Sequence, residues 1–239
     1  MKKFASFFAV FLFITLFAVA SEAGDRNIPV EVAQLTDSLK KQFAPDRRVA
    51  LLDVDYSFSD KNVMLRGVTT SAEAKNALLK ELARKGYAVM DCLELLPDVK
   101  GLEGKTCGII NVSVANMRVA PDFSSEMMTQ SLMGMPVRVL QRDGWVRIQT
   151  PDNYIAWVHR VGVHPVTEEE MAAWNKAEKI VVTAHYGFVY SEPNQTSQTV
   201  SDVVAGNRLK WEGSKGAFYK VTYPDGRRGY ISKSIAMPE

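Results

Sequence analysis

Cysteine occurs only twice in the 239 residues, as Cys92 and Cys107, and histidine three times, as His159, His164 and His185. No Cys-x-x-Cys or His-rich spacing joins them, so the chain carries no metal-site pattern, and nothing in it asks for a cofactor. No G-x-S-x-G or comparable nucleophile turn is present, which removes Ser-His-Asp chemistry. Charge of either sign is scarce in net terms: 29 basic residues against 27 acidic leave +2. Electrostatic capture of nucleic acid or of an anionic membrane is therefore not indicated.

Long apolar runs are missing everywhere except at the start, "MKKFASFFAVFLFITLFAVASEAG". Lys2 and Lys3 precede a run from Phe4 to Ala20 broken only by Ser6 and Thr15, and Ala18-Val19-Ala20 supplies a small-residue cleavage pattern. This predicts a signal peptide over residues 1–20 and an exported mature protein, its formal charge reduced to about 0. The run is near the lower limit for spanning a bilayer, so an uncleaved membrane anchor is the alternative. No cysteine lies near the cleavage region to take a lipid. Export permits Cys92 and Cys107 to pair in a disulfide worth ~3 kcal/mol through loop closure; two partly buried free thiols are the alternative.

Residues 28–99 mix two periods. Val32, Leu35, Leu39 and Phe43 have helical spacing, and Pro45 stops the run. Leu52, Val54, Tyr56 and Phe58 alternate as in a strand, and "VMLRGVTT" after Asp60-Lys61-Asn62 makes a second one. Thr70 with Glu73 reads as a capping box opening a helix with Ala74, Ala77, Leu78 and Leu82 on its buried side; Gly86 ends it before a third strand, "YAVMDCLELL". The order is α-β-β-α-β. Val63, Leu65, Gly67 and Ser71 resemble the BON module of bacterial envelope proteins, in which a V-x-L-x-G strand precedes a capped helix.

Past residue 108 the chain is β-rich and written twice. Pro121 and Pro193, Gly134 and Gly206, and Gly144 and Gly216 lie 72 apart; after one insertion near Ala217, Trp145 and Phe218, Pro151 and Pro224, and Trp157 and Tyr230 lie 73 apart. Matching glycines and prolines at fixed offsets mark matching turns, so 108–163 and 180–235 read as tandem copies of one domain, each long enough for five short strands in a small barrel. Between them, residues 164–179 predict a linker helix with Thr167 and Glu170 as a capping box, and Met171 and Trp174 packed between the barrels.

Asn116, Arg118 and Pro121, then "GMPVRV", "RDGWVRI" and "YIAWV", resemble in order the motifs of bacterial SH3 domains. The second copy is less faithful, with Phe188 and Tyr190 where the first has Asn116 and Arg118. The fold class this implies is mainly β: two tandem SH3-like barrels preceded by the α+β unit. The order of signal peptide, leading unit and two SH3-like domains resembles the non-catalytic front half of exported NlpC-type cysteine peptidases, which cut peptidoglycan stem peptides. That catalysis needs a D-C-S-G thiolate with a downstream histidine. Cys92 follows Asp91 but sits in "MDCLELL", and Cys107 sits in "GKTCGII", so neither is a nucleophile.

The resemblance implies a non-catalytic, periplasmic or wall-associated protein that binds stem peptide, the alternatives being the targeting part of a peptidase or a scaffold holding an envelope protein. Small barrels grip peptides in shallow aromatic grooves with a few charged groups. The candidate ligand residues are Phe123, Tyr154 and Trp157 with Asp122 and Arg118 in the first copy, and Tyr186, Phe188 and Tyr190 in the second.

Overall fold

The structure is a computed structural model and describes residues 29–239; the expected signal peptide lies outside them. No described helix is long and apolar enough to cross a membrane. The described chain forms two compact units, the first closing at Leu95 and the second holding Asp46–Ala50 and Leu96–Glu239.

In the first unit, α1 (Val30–Phe43) is followed by β1 (Leu52–Ser59), β2 (Asn62–Thr69), α2 (Ala72–Arg84) and β3 (Ala88–Leu95), in the sheet order β1-β2-β3. The β1–β2 hairpin is antiparallel, and α2 carries the chain over to β3, which lies parallel to β2. Both helices bury their apolar stripe on the sheet: Val32 and Leu39 from α1, and Ala74, Leu78 and Leu82 from α2, meet Leu52, Val63, Leu65 and Leu93. Each fully buried leucine contributes about 2 kcal/mol. The α2 cap is Ser71, whose hydroxyl accepts from Ala74 N at 3.0 Å, rather than Thr70. Thr70 Oγ1 is already engaged, accepting from Leu51 N. Gly67 must be glycine: its φ is +117° and a Cβ would lie 2.2 Å from Asp53 O.

In the second unit, β4 (Cys107–Ile110), β5 (Val114–Arg118), β6 (Met127–Leu132), β7 (Pro136–Asp143), β8 (Trp145–Gln149), β9 (Ile155–His159) and β10 (Val163–Val166) form one antiparallel sheet, ordered β10-β4-β7-β8-β9-β5-β6. A second sheet contains β11 (Lys179–Val182), β12 (Tyr186–Tyr190), β13 (Thr199–Val204), β14 (Arg208–Lys215), β15 (Phe218–Thr222), β16 (Arg228–Ser232) and β17 (Ala236–Pro238). Its order, β17-β11-β14-β15-β16-β12-β13, reproduces the first strand for strand. Equivalent strands begin 72 residues apart up to β7 and β14, and 73 apart from β8 and β15 onward. The extra residue sits in a turn: Gly144 alone joins β7 to β8, whereas Gly216-Ala217 joins β14 to β15. Each sheet has seven strands where five were expected. The expected linker, from residue 164, overlaps β10, whose Pro165 an edge strand tolerates since its missing N–H costs no ladder bond there.

The linker helix, α3 (Glu168–Lys176), is shorter than residues 164–179, and both halves of the Thr167–Glu170 capping box form. Its Met171 and Trp174 bury against Ile109 and Val166 of the first barrel, and Trp174 Nε1 donates to Gly134 O at 3.2 Å. The barrels also meet directly. Arg208 N donates to Met133 O, Asn207 Nδ2 to Ser113 O, Ser113 Oγ to Asp202, and Asn111 Nδ2 to Asp225. Met133, a first-barrel residue, is buried in the core of the second.

Candidate functional site

Alternation along the first barrel sorts its residues onto two faces. Ala115, Met117, Val146, Ile148, Ala156 and Val158 point inward to the core. That leaves Asn116, Arg118, Trp145, Arg147, Trp157 and His159 facing outward, with Trp145 opposite His159, Arg147 opposite Trp157, and Trp157 opposite Arg118 across the ladder.

The loop after β5 folds back onto this face. Arg118 Nη1 donates to Ser125 O, Ala120 N donates to Ser125 Oγ, and the Asp122 carboxylate accepts from the Ser124 backbone and hydroxyl. Those bonds from Ser124, the side-chain one foremost, hold the Asp122 carboxyl below its ordinary pKa. The loop delivers Phe123 onto Trp145, centroid to centroid 4.9 Å, and onto His159 at 5.0 Å; Trp145 and His159 are 5.3 Å apart. These rings line a pocket of about 180 Å³ together with Val114, Val158, Val161, Asn116 and Arg118. The pocket combines an apolar lining, three rings and a guanidinium, a combination suited to gripping one residue of a peptide.

Of the sequence candidates, Phe123 and Arg118 line this pocket, and Asp122 neighbours Phe123 in the loop. Trp157 shares the outward face but only 9% of it is exposed, beneath the Arg147 guanidinium 4.7 Å away. It is a packing residue. Tyr154 precedes β9 at the end opposite His159, tied to Thr150 through its backbone, outside the pocket lining. His159 and Asn116 were not singled out as ligand residues. The alternation that puts Val146 and Ile148 inside implies Trp145 outside, but which loop covers it depends on the tertiary fold.

In the second barrel Tyr186, Phe188 and Tyr190 form a row with Phe218, at centroid spacings of 5.1, 6.4 and 6.5 Å. By the strand offsets these stand where the first copy has Val114, Asn116, Arg118 and Trp145. Along this strand the second copy therefore carries three rings where the first has Val114, Asn116 and Arg118, while both keep a ring at the Trp145 and Phe218 position.

The two cysteines are free, which sets aside the disulfide. Cys107 is turned into the apolar Ile109–Trp174 cluster, and burial, reinforced by the Glu168 charge, raises its thiol pKa. That is opposite to what a thiolate nucleophile requires. His164 lies near it on the paired strand β10, but no hydrogen bond joins a cysteine to a histidine among the described residues. Nor do three potential metal ligands converge among them.

Residues 117–161 match the family described as the bacterial dipeptidyl-peptidase SH3 domain, and residues 185–235 match the bacterial SH3 domain family. No curated protein matches the chain. Among solved structures, an NlpC/P60 family protein from Bacillus cereus is 20% identical, covering 56% of each chain with a TM-score of 0.47. An NlpC/P60 endopeptidase from Photobacterium damselae subsp. piscicida is 12% identical over 86% of this chain and 44% of its own, with a TM-score of 0.43. The chain thus spans about half the length of these structures, and likeness of that degree bears on neither activity nor ligand. Two bacterial SH3 domains stand in tandem in this chain, the first of the dipeptidyl-peptidase type.

Proposed function

We propose that the protein is an exported, wall-associated relative of the NlpC-type peptidases that recognises peptidoglycan stem peptides through its SH3 domains and does not cleave them. The observation that carries this reading is the Phe123–Trp145–His159 cluster lining a pocket with Arg118. Exposed rings offer contact area at small entropic cost, and the guanidinium supplies orientation. The half-buried Cys107 thiol, its pKa raised, supports the non-catalytic half of the proposal.

Cosedimentation with purified peptidoglycan tests it. The wild-type chain is expected in the pellet, and cysteine-to-alanine variants at Cys92 and Cys107 should be retained equally. Incubation with stem tripeptides should release no new amine. Turnover at enzyme-like rates would overturn the non-catalytic reading, and a protein left entirely in the supernatant would overturn the binding one.

A further inference from the structure

The two copies differ in one chemical respect at the same place on the fold. Among the polar groups lining the first pocket, Arg118 and Asn116 offer N–H donors beside the His159 imidazole. Arg118 spends Nη1 on Ser125 O, leaving its other N–H groups, and no ion pair engages it among the described residues. Asn116 accepts from Gln130 through Oδ1, at 2.8 Å, which leaves its Nδ2 donors to face outward. The nearby Asp122 carboxylate accepts two hydrogen bonds from Ser124 and also feels the Arg118 charge. In the second copy Tyr190 and Phe188 stand at these positions, so that copy has no cation there.

The pocket is also small. At about 180 Å³ it falls below the roughly 300–1,000 Å³ usual for drug-sized ligands. Its apolar lining includes Val114, Val158 and Val161, and the volume suits a small side chain. A guanidinium and an amide beside such a lining are complementary to a free α-carboxylate next to a small side chain.

Building on the peptide-binding reading, we infer that the first barrel recognises the free carboxyl end of a peptide that terminates in a small apolar residue, the carboxylate on Arg118 and Asn116 and the side chain against the lining valines. The second barrel has no equivalent subsite.

Calorimetric titration of the full chain with N-acetyl-dialanine, in L,L and D,D forms, against the corresponding C-terminal amides tests this. One acid form should bind at least about tenfold more tightly than its amide, the loss expected for one charge-assisted hydrogen-bonded pair. Arg118→Gln should bring the acid to the level of the amide. Val161→Trp, at a position 60% exposed and so tolerant of substitution, should block both by filling the pocket. Thermal melting of each variant reports whether it is folded. Equal binding of acid and amide, a preference that survives Arg118→Gln, or no binding of any form would overturn the inference. If dialanine fails while the protein still pellets with peptidoglycan, only this inference falls; if both fail, the peptide-binding reading falls with it.

Discussion

Phe123 is 66% exposed yet packs on two rings, so it adds little to the core and much to the surface chemistry of its loop. Phe123→Ala should shift the denaturation free energy by less than about 1 kcal/mol. It should still cut retention on peptidoglycan about tenfold, the size of effect seen for exposed aromatic anchors. Tyr223 is the reverse case. Burial, opposed by its bond with Ser201, pushes its phenol up to about 12, and Arg227 lies over its ring. A group whose folded pKa is raised contributes stability that is complete below its unfolded pKa and is lost as pH rises through the folded value. The second barrel should therefore lose roughly 2–3 kcal/mol as pH rises from about 10 to about 12. Tyr223→Phe should flatten that alkaline limb in pH-dependent thermal melts; an unchanged limb would mean the tyrosine does not govern it. Gly67, where even a methyl would collide with Asp53 O, was legible as part of a V-x-L-x-G motif, but only the backbone explains why the position takes nothing larger.

Elements were legible where a local signal was sufficient. The Thr167–Glu170 box depends only on residues three apart, and it formed as spaced. Thr167→Ala should cost about 1 kcal/mol in chemical denaturation. Trp174→Ala should cost more, about 3 kcal/mol, because it empties the contact with Ile109 and Val166. The α2 cap was displaced by one residue because a non-local partner, Leu51 N, claims Thr70. Turn chemistry was also local: in the hairpins after β8 and β15, Asn153 (φ 70°) stands where the second copy has Gly226 (φ 86°), two residue types that accept the left-handed region. The short strand β10 was not legible, since a four-residue segment containing proline takes its structure from the strand it pairs with.

Across the second unit, the two barrels are joined at close range. A Cβ on Gly134 would lie 2.4 Å from Arg208 O, beside the Arg208 N to Met133 O bond. Gly134→Ala should therefore pry the barrels apart and split one calorimetric transition into two; a single unshifted transition would show that the contact does not couple them. Asp225 adds a pH-dependent part. Burial acts to raise its carboxyl, but hydrogen bonds from the Asn111 amide and then from Arg227 outweigh it, and its pKa is lowered. The stabilisation is complete above the ordinary carboxylate value and is lost as pH falls through the lowered one. As pH falls below the ordinary carboxylate range the wild type should lose more thermal stability than Asp225→Asn, by a modest margin because the group is partly solvated.

By itself the sequence determined the duplication, the turn positions and the separate α-β-β-α-β unit, because offsets, glycine requirements and hydrophobic periods are properties of neighbours along the chain. It also brought Phe123 and Arg118 forward as ligand residues, but not the pocket they share. Only the tertiary structure decided that Trp157 is covered by Arg147, that Tyr154 lies at the far end of its strand, and that Trp145 and His159 meet under Phe123. Those outcomes follow from strand register and from where one loop folds back, and both are settled by contacts between residues distant in sequence.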